Sequence, residues 1–235
     1  MPRTRRTRTA LLVLTLALVG SVSAQCRFEA PRELDLDLEG VRAVRLVTQA
    51  GDLSVTGAAH AAALTARGHA CASNRALLDD VRLAASRDGN VLVLRTETPR
   101  AGFFFGYAHL DLVVVVPDTL PVEIDDGSGA VVVANVASLR LTDGSGDVRV
   151  DDVAGDLVLE DGSGDVAVTG VGGGVRIGAD TSGAIHIEGV RGDVRIEADG
   201  SGDVDVRRVG GDLVFLRDGS GSVRYADVAG TVELP

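Results

Sequence analysis

The chain has 235 residues, of which 45% are hydrophobic and 24% charged, and its formal net charge at pH 7 is −11. A chain of this length can form one domain or two. A surface with such an excess of acidic groups repels nucleic acid and anionic lipid, so neither is an expected partner.

The first 24 residues have the pattern of a secretion signal. A basic segment with four arginines precedes an apolar run at residues 10–19, and residues 22–24 supply a small-residue cleavage motif. Ten apolar residues are too few to cross a hydrocarbon core about 30 Å thick. We therefore predict a signal peptide at residues 1–24, cleaved near Ala24, and a periplasmic or secreted chain that is not an integral membrane protein. Losing the four arginines takes the formal charge from −11 to −15.

The two cysteines of the chain are Cys26 and Cys71. In an oxidising compartment, two cysteines most simply form one disulfide. The alternative is a pair of metal-binding or redox-active thiols, but the spacing is not that of a CxxC motif. Gln25 stands where a lipoprotein normally has a small residue, which favours a chain that is not lipidated at Cys26.

Residues 25–121 alternate apolar and polar side chains less regularly than the rest of the chain. Residues 91–94 and 110–116 are predicted to be buried strands, and residues 74–80 a short turn or helix. We predict that residues 25–121 form irregular β coils that cap residues 122–235 and share one continuous core with them.

An aromatic segment stands out near the end of this first region. Phe103, Phe104, Phe105 and Tyr107 are four of the seven aromatic residues in the chain. They either plug one end of the fold, because the terminal coils of a repeat protein need capping, or form an exposed loop that docks on a partner.

A repeat occupies the second half of the chain. The tetrapeptide Asp-(Gly/Thr)-Ser-Gly recurs at intervals of 17, 18, 19, 19 and 19 residues. The aspartates that begin it are Asp126, Asp143, Asp161, Asp180, Asp199 and Asp218. Between the glycines, apolar and polar residues alternate as they do in a strand with one buried face. The repeat predicts an all-β parallel β-helix, a β-solenoid of about six regular two-strand coils of 17–19 residues.

Each predicted coil contributes inward-facing residues to apolar columns. One column is valine in every coil: Val136, Val153, Val171, Val190, Val209 and Val228. In the last coil the predicted inward pairs are Val223 with Tyr225 and Val232 with Leu234. Such coils stack about 4.8 Å apart in parallel, in-register sheets.

The six repeat aspartates form a column with two explanations. Carboxylates about 5 Å apart repel by roughly 1 kcal/mol per neighbouring pair even in water, so something must offset the repulsion. Each carboxylate either caps its own turn by accepting backbone N–H groups or helps to bind Ca²⁺, which prefers clustered carboxylate and carbonyl oxygens. Ca²⁺ is the only cofactor that the sequence suggests, and no catalytic residue is predicted.

The strand at residues 110–117, the segment 121–124 and the Gly-Ser-Gly-Asp-Val coils resemble a family of bacterial exported "putative adhesin" domains. This is a β-strand-repeat domain of unknown function related to the head-GIN domain. The resemblance implies a parallel β-helix in the cell envelope and transfers no catalytic residues.

Three functions follow as hypotheses. The first is a non-enzymatic envelope protein, an adhesin-like rod or scaffold whose ligand the sequence does not identify. The others are a Ca²⁺-binding secreted module and a polysaccharide-acting β-helix enzyme. The unpaired strand edge expected at the last coil also predicts self-association through that edge.

Overall fold

The computed structural model describes residues 26–99 and 106–235. The predicted signal peptide and Phe103, Phe104 and Phe105 lie outside the described residues. Within them, twenty strands form two ten-stranded sheets, and one short helix lies between β4 and β5.

The first seven strands and the helix belong to the irregular region. They are β1 Phe28–Asp37, β2 Ala43–Val47, β3 Leu53–Ala58, β4 Ala63–Ala72, α1 Arg75–Asp80, β5 Arg82–Asp88, β6 Val91–Glu97 and β7 Ala108–Pro117. The side chain of Asn74 caps α1 by accepting the backbone N–H of Leu77. Asparagine is among the preferred residues at this position, which explains why the brief helix begins there.

The regular region is a stack of parallel coils. Its strands are β8 Val122–Asp126, β9 Val131–Val136, β10 Leu139–Asp143, β11 Val148–Val153, β12 Leu157–Asp161, β13 Val166–Val171, β14 Val175–Asp180, β15 Ile185–Val190, β16 Val194–Ile196, β17 Val204–Val209, β18 Leu213–Phe215, β19 Val223–Val228 and β20 Val232–Glu233. Even-numbered strands pair in one sheet and odd-numbered strands in the other. Equivalent residues lie in register from coil to coil, as between β10 and β12. The predicted all-β solenoid of about six coils is confirmed.

The irregular strands extend the same two sheets, but not in chain order. β2 lies between β6 and β8, and β3 lies between β7 and β9, with all four pairings parallel. The β2–β3 coil therefore sits inside the stack, while the β6–β7 coil, which comes later in the chain, lies outside it. One cluster of buried side chains runs through the stack from Val44 to Phe215.

The end of the stack formed by residues 26–99 is closed by antiparallel strands. β1 pairs with β4, β4 with β7, and β5 with β6. The guanidinium of Arg32 donates to the carbonyl oxygens of Val81 and Leu78, and that of Arg87 donates to the carbonyl oxygens of Glu39 and Asp37. These bonds join the outer strands of the two sheets, so the apolar core is covered at this end.

The opposite end is open, because β19 and β20 are the edge strands of their sheets. Tyr225 lies in register with the inward-facing Val206, as predicted, but Tyr225 and Leu234 are 48% and 40% exposed and are therefore not part of the buried core. A side chain on an edge strand contacts a neighbouring coil on one side only, so the last rung of the core is half covered. The self-association expected at this edge stays a prediction.

The predicted disulfide is confirmed, since Cys26 is bonded to Cys71 with a Cα–Cα distance of 5.4 Å. It fixes the start of β1 to β4 in the closed end. Replacing both cysteines with serine should lower the free energy of unfolding by about 2–4 kcal/mol, because a loop of 45 residues is no longer closed in the unfolded chain. Urea denaturation with and without a reductant measures this. A reductant should weaken the wild type and leave the double variant unchanged; equal urea midpoints for all four samples would contradict the prediction.

Candidate functional sites

The repeat aspartates lie inside the solenoid and not on its outer corner. In each coil the second sheet presents alternate residues to the core, as Leu139, Leu141 and Asp143 do in β10. The aspartate is thus the third inward residue of the strand, and the Gly-Ser-Gly corner follows it. Asp126, Asp143, Asp161, Asp180 and Asp199 are only 3–4% exposed. We call these five residues the aspartate ladder; Asp218, half-buried, follows them at the open end.

Register holds the ladder together despite changes in coil length. Asp126, Asp143 and Asp161 are direct neighbours across the parallel strands. β14 contains one more residue than β12, and a register shift after Leu159 absorbs it, so that Asp161 again lies opposite Asp180. Bridges continue the column from Asp180 to Asp199 and on to Asp218. The extra residue of β14 therefore leaves the carboxyl of Asp180 in the same column as the others.

Two threonines extend the column into the irregular coils. Thr48 and Thr96 are buried at the equivalent positions of the coils built on β2 and β6. The hydroxyl of Thr48 donates to Oδ1 of Asp126, and that of Thr96 accepts the backbone N–H of Gln49. We did not predict this extension. The sequence does carry a signal for it, because Thr48 follows Leu46 at the same two-residue spacing as Asp126 follows Ile124.

The ladder carboxyls are nearly without hydrogen-bond donors. Neither carboxyl oxygen of Asp143, Asp161, Asp180 or Asp199 has a well-formed hydrogen bond. Backbone N–H groups of the following corner, such as that of Ser182 beside Asp180, approach them and lower their pKa somewhat. Desolvation raises the pKa by more than these N–H groups lower it, because burial disfavours the charged form.

Burial and like charge together favour the protonated form of these carboxyls. Burial is the larger cause and, with the neighbouring aspartates, raises the pKa of Asp143 to about 8. Burial and the charges of Asp161 and Asp199 raise the pKa of Asp180 to about 7. The pKa values of Asp126, Asp161 and Asp199 are also raised, in each case first by burial. At pH 5 the ladder therefore contains neutral carboxylic acids, which can donate hydrogen bonds to one another.

Turn capping by the ladder stays a prediction, and well-formed hydrogen bonds to the corner backbone are made by other aspartates. Oδ1 of Asp147 accepts the N–H of Asp165 at 3.1 Å, and Oδ1 of Asp165 accepts the N–H of Ala184 at 2.9 Å. Oδ1 of Asp203 accepts the N–H of Ser222 in the same way. These exposed carboxylates follow the second glycine of the repeat, and each joins its corner to the next coil.

Calcium binding by the ladder stays a prediction. Ca²⁺ takes six to eight oxygen ligands. Two successive ladder aspartates offer at most four carboxyl oxygens in a space lined by valine, leucine and isoleucine. The donor set therefore fits protons shared between carboxyls better than it fits a calcium ion.

A second candidate site is a groove on the outside of the corner that follows the odd-numbered strands. One residue per coil at this corner has a positive φ: Asn135, Asp152, Gly170, Gly189, Arg208 and Asp227. Each precedes a member of the valine column, so the left-handed residue turns the chain inward at that point. The two central members of this column are glycines, whose missing side chains leave a depression between Asp152 and Arg208.

The groove has a volume of about 530 Å³ and runs across four coils. Asp118, Asn135 and Asp152 line one end, and Arg191 lies at the other. A second depression of about 580 Å³ shares Gly189 and Arg191 with the first and continues to Arg208. Asp227 lines the second depression beyond Arg208, so carboxylates lie towards both ends of the groove, with Arg191 and Arg208 between them. We call the two depressions together the corner groove.

The aromatic segment is described only at Tyr107. Its ring is 46% exposed and stacks on the imidazole of His109 with a centroid distance of 6.4 Å. Its backbone N–H donates to the hydroxyl of Ser73 at 3.1 Å. The two roles expected for the segment, plug and docking loop, both stay predictions.

Comparison with known proteins identifies the family. A family profile described as "putative auto-transporter adhesin, head GIN domain" matches residues 70–227, more than half of the chain. The chain belongs to this family. The match begins near the end of β4, so β1, β2 and β3 lie outside it, and it includes the ladder and the corner groove of the head-GIN solenoid. No curated protein gave a significant match.

Several solved structures resemble this head-GIN chain. A "putative adhesin" from Bacteroides fragilis is 12% identical, with 89% of this chain and 98% of that chain covered and a TM-score of 0.42. A "putative lipid binding protein" from Parabacteroides distasonis is 16% identical, with 87% and 93% covered and a TM-score of 0.46. Neither similarity is close enough to bear on function. Among the described residues, no helix is both long and apolar enough to cross a membrane.

Proposed function

We propose that this head-GIN protein is an exported, non-enzymatic, adhesin-like protein of the cell envelope that holds an extended glycan along its corner groove. The family name, the disulfide and the signal-like sequence at residues 1–24 support export and an adhesive role. Disulfides persist mainly in oxidising compartments outside the cytoplasm.

The observation that carries the proposal is the pair of glycines at the centre of the corner column. Other coils carry Asn135, Asp152 or Arg208 at the position held by Gly170 and Gly189. The two glycines open the surface along the stacking direction, so a ligand lying there runs across successive coils about 4.8 Å apart. A linear polymer fits such a groove better than a compact small molecule does.

The groups at the two ends of the groove suit a polar chain. The carboxylates of Asp118 and Asp152 and the amide of Asn135 accept hydrogen bonds from hydroxyl or ammonium groups, and the guanidinium of Arg191 donates to hydroxyl or carboxylate oxygens. The backbone supporting them is rigid, because the coils are hydrogen-bonded on both sides. A preformed groove of this kind binds without the entropy loss of ordering a loop.

The test fills the groove without altering the fold. Gly189→Asn places a side chain at a position with φ 76°, where an added Cβ has its nearest atom 3.7 Å away. Asparagine tolerates this left-handed conformation, as Asn135 does two coils before Gly170. Gly178→Asn on β14, in the opposite sheet, is the matched control.

Binding of the exported chain and both variants to neutral, acidic and amino-sugar oligosaccharides is measured by glycan array and then by calorimetry. We expect binding by the wild type and Gly178→Asn and a loss of at least about tenfold for Gly189→Asn, which corresponds to 1.4 kcal/mol. Equal binding by all three proteins would show that the glycan does not bind in the corner groove. Cleavage of a bound glycan would instead support the alternative function, a polysaccharide-acting enzyme.

A further inference from the structure

The aspartate ladder has no role in the proposed function, and its geometry is unusual. Five carboxyl groups stand in register inside an apolar core. Among the described residues, the only other side-chain group that donates a hydrogen bond to them is the hydroxyl of Thr48, at one end of the ladder. Buried charges without partners cost several kcal/mol each. A stack of ionised carboxylates at this spacing would therefore destabilise the folded coils.

We propose that the ladder is a proton-sharing lock: at acidic pH each buried carboxyl donates a hydrogen bond to the next, and loss of these protons as the pH rises loosens the regular coils. Ladders of asparagine and glutamine stabilise stacked, in-register strands in the same manner, through side chains that bond to their equivalents above and below. A protonated aspartate has the same shape as asparagine and one O–H donor. It differs in that its donor is lost on titration.

Among residues 26–99 and 106–235, the groups around the ladder do not supply a compensating positive charge. Beside Asp126 stand the carboxylate of Asp125, which opposes ionisation, and the neutral hydroxyl of Thr48. At the other end Asp199 faces Asp218. The corner that follows each aspartate contains only glycine, serine and threonine in most coils, and the next inward residues are valine and isoleucine, as in β11 and β15. The acidic members of the ladder thus interact chiefly with one another.

The direction of the pH effect follows from proton linkage. The ladder carboxyls bind protons more tightly in the folded chain than in the unfolded chain, where the pKa is 3.8. Their contribution to stability is therefore complete below about pH 4 and is lost as the pH rises through about 7 to 8. The pKa values of Asp203, which is exposed, and of Asp205, which is half-buried, are lowered. These two carboxylates change stability in the opposite direction, but only at lower pH, so they do not affect the comparison between pH 5 and pH 8.

Thermal unfolding of the exported chain at pH 5 and at pH 8 tests the lock. We expect the wild type to melt at least about 5 °C lower at pH 8, given that 1 kcal/mol moves the melting temperature of a domain of this size by about 2–4 °C. In the triple variant Asp143→Asn, Asp161→Asn, Asp180→Asn, the amides keep the ladder bonded at both pH values. The difference between pH 5 and pH 8 should fall below half of the wild-type value.

The control removes the same charges from the surface. Asp147→Asn, Asp165→Asn and Asp203→Asn together change three exposed corner carboxylates that accept backbone N–H groups, and an amide oxygen can accept these bonds as well. This variant should retain the wild-type difference between the two pH values. A wild type with equal melting temperatures at pH 5 and pH 8, or a control that loses the difference, would overturn the proposal.

A titration of the wild type gives an answer even if the ladder variant fails to fold. Between pH 5 and pH 8 the folded chain should release at least one more proton than the chain unfolded in urea, from Asp143 and Asp180. Equal proton release would mean that the ladder carboxyls lose no protons between pH 5 and pH 8 and would refute the lock. Recovery of the pH 5 melting temperature at pH 8 on addition of Ca²⁺ alone would assign the column to a cation instead.

Discussion

Val171→Asp should lower the free energy of unfolding by about 3 kcal/mol or more, because it buries a charge with no partner. Val171 is 1% exposed and lies in register between Val153 and Val190. Its neighbours therefore offer only methyl groups to a new carboxylate. In the aspartate ladder the same side chain is tolerated because the coils above and below also carry a carboxyl.

Val132→Asp is the matched control for this change. Val132 points outward from β9 with an exposed fraction of 38%, and its neighbour in register on β11 is Arg149. The exposed carboxylate should change stability by no more than about 0.5 kcal/mol. Thermal unfolding at pH 7 compares the two, and similar melting temperatures for both variants would show that the assigned inward face is wrong.

Gly164→Ala should be comparably damaging, for a reason that lies in the backbone. Gly164 has φ +137°, and a Cβ added there would lie 2.5 Å from the carbonyl carbon of Gly146 in the preceding coil. The N–H of Gly164 also donates to the carbonyl of Ser182 in the following coil. The corner cannot move away from one neighbour without disturbing its bond to the other. We expect a loss of about 3 kcal/mol or more in urea denaturation.

Gly89→Ala separates the steric overlap from the backbone conformation. Gly89 also has a positive φ, +58°, but no atom lies within 4 Å of an added Cβ. Alanine there costs only the left-handed conformation, about 1–2 kcal/mol. A Gly164→Ala variant no less stable than Gly89→Ala would mean that the Gly-Ser-Gly corners are not stacked as closely as the structure shows.

The repeat aspartates illustrate how the fold can be predicted correctly although the position of one column of side chains is not. The alternation of Leu139, Leu141 and Asp143 puts all three on the same face of β10. We nevertheless expected the aspartate either to cap its turn or to bind Ca²⁺, because Asp-Gly-Ser-Gly has the composition of a corner. The expected repulsion between stacked carboxylates was a sound observation. Its resolution is protonation inside the core, which depends on an environment that no single coil provides.

The sequence by itself determined the coil, the register of its apolar columns and the disulfide. Repetition makes these predictable: each coil contacts a near-identical neighbour, so a local pattern such as the valine column specifies its own partner. Only the tertiary structure decided that β2 and β3 insert between strands that follow them in the chain, that Thr48 continues the aspartate ladder, and that Gly170 and Gly189 open a groove. In the irregular region many strands share the same alternation of apolar and polar residues, so the pattern shows which face is buried but not which strand lies beside it. That choice depends on long-range packing and on how the closed end covers the core.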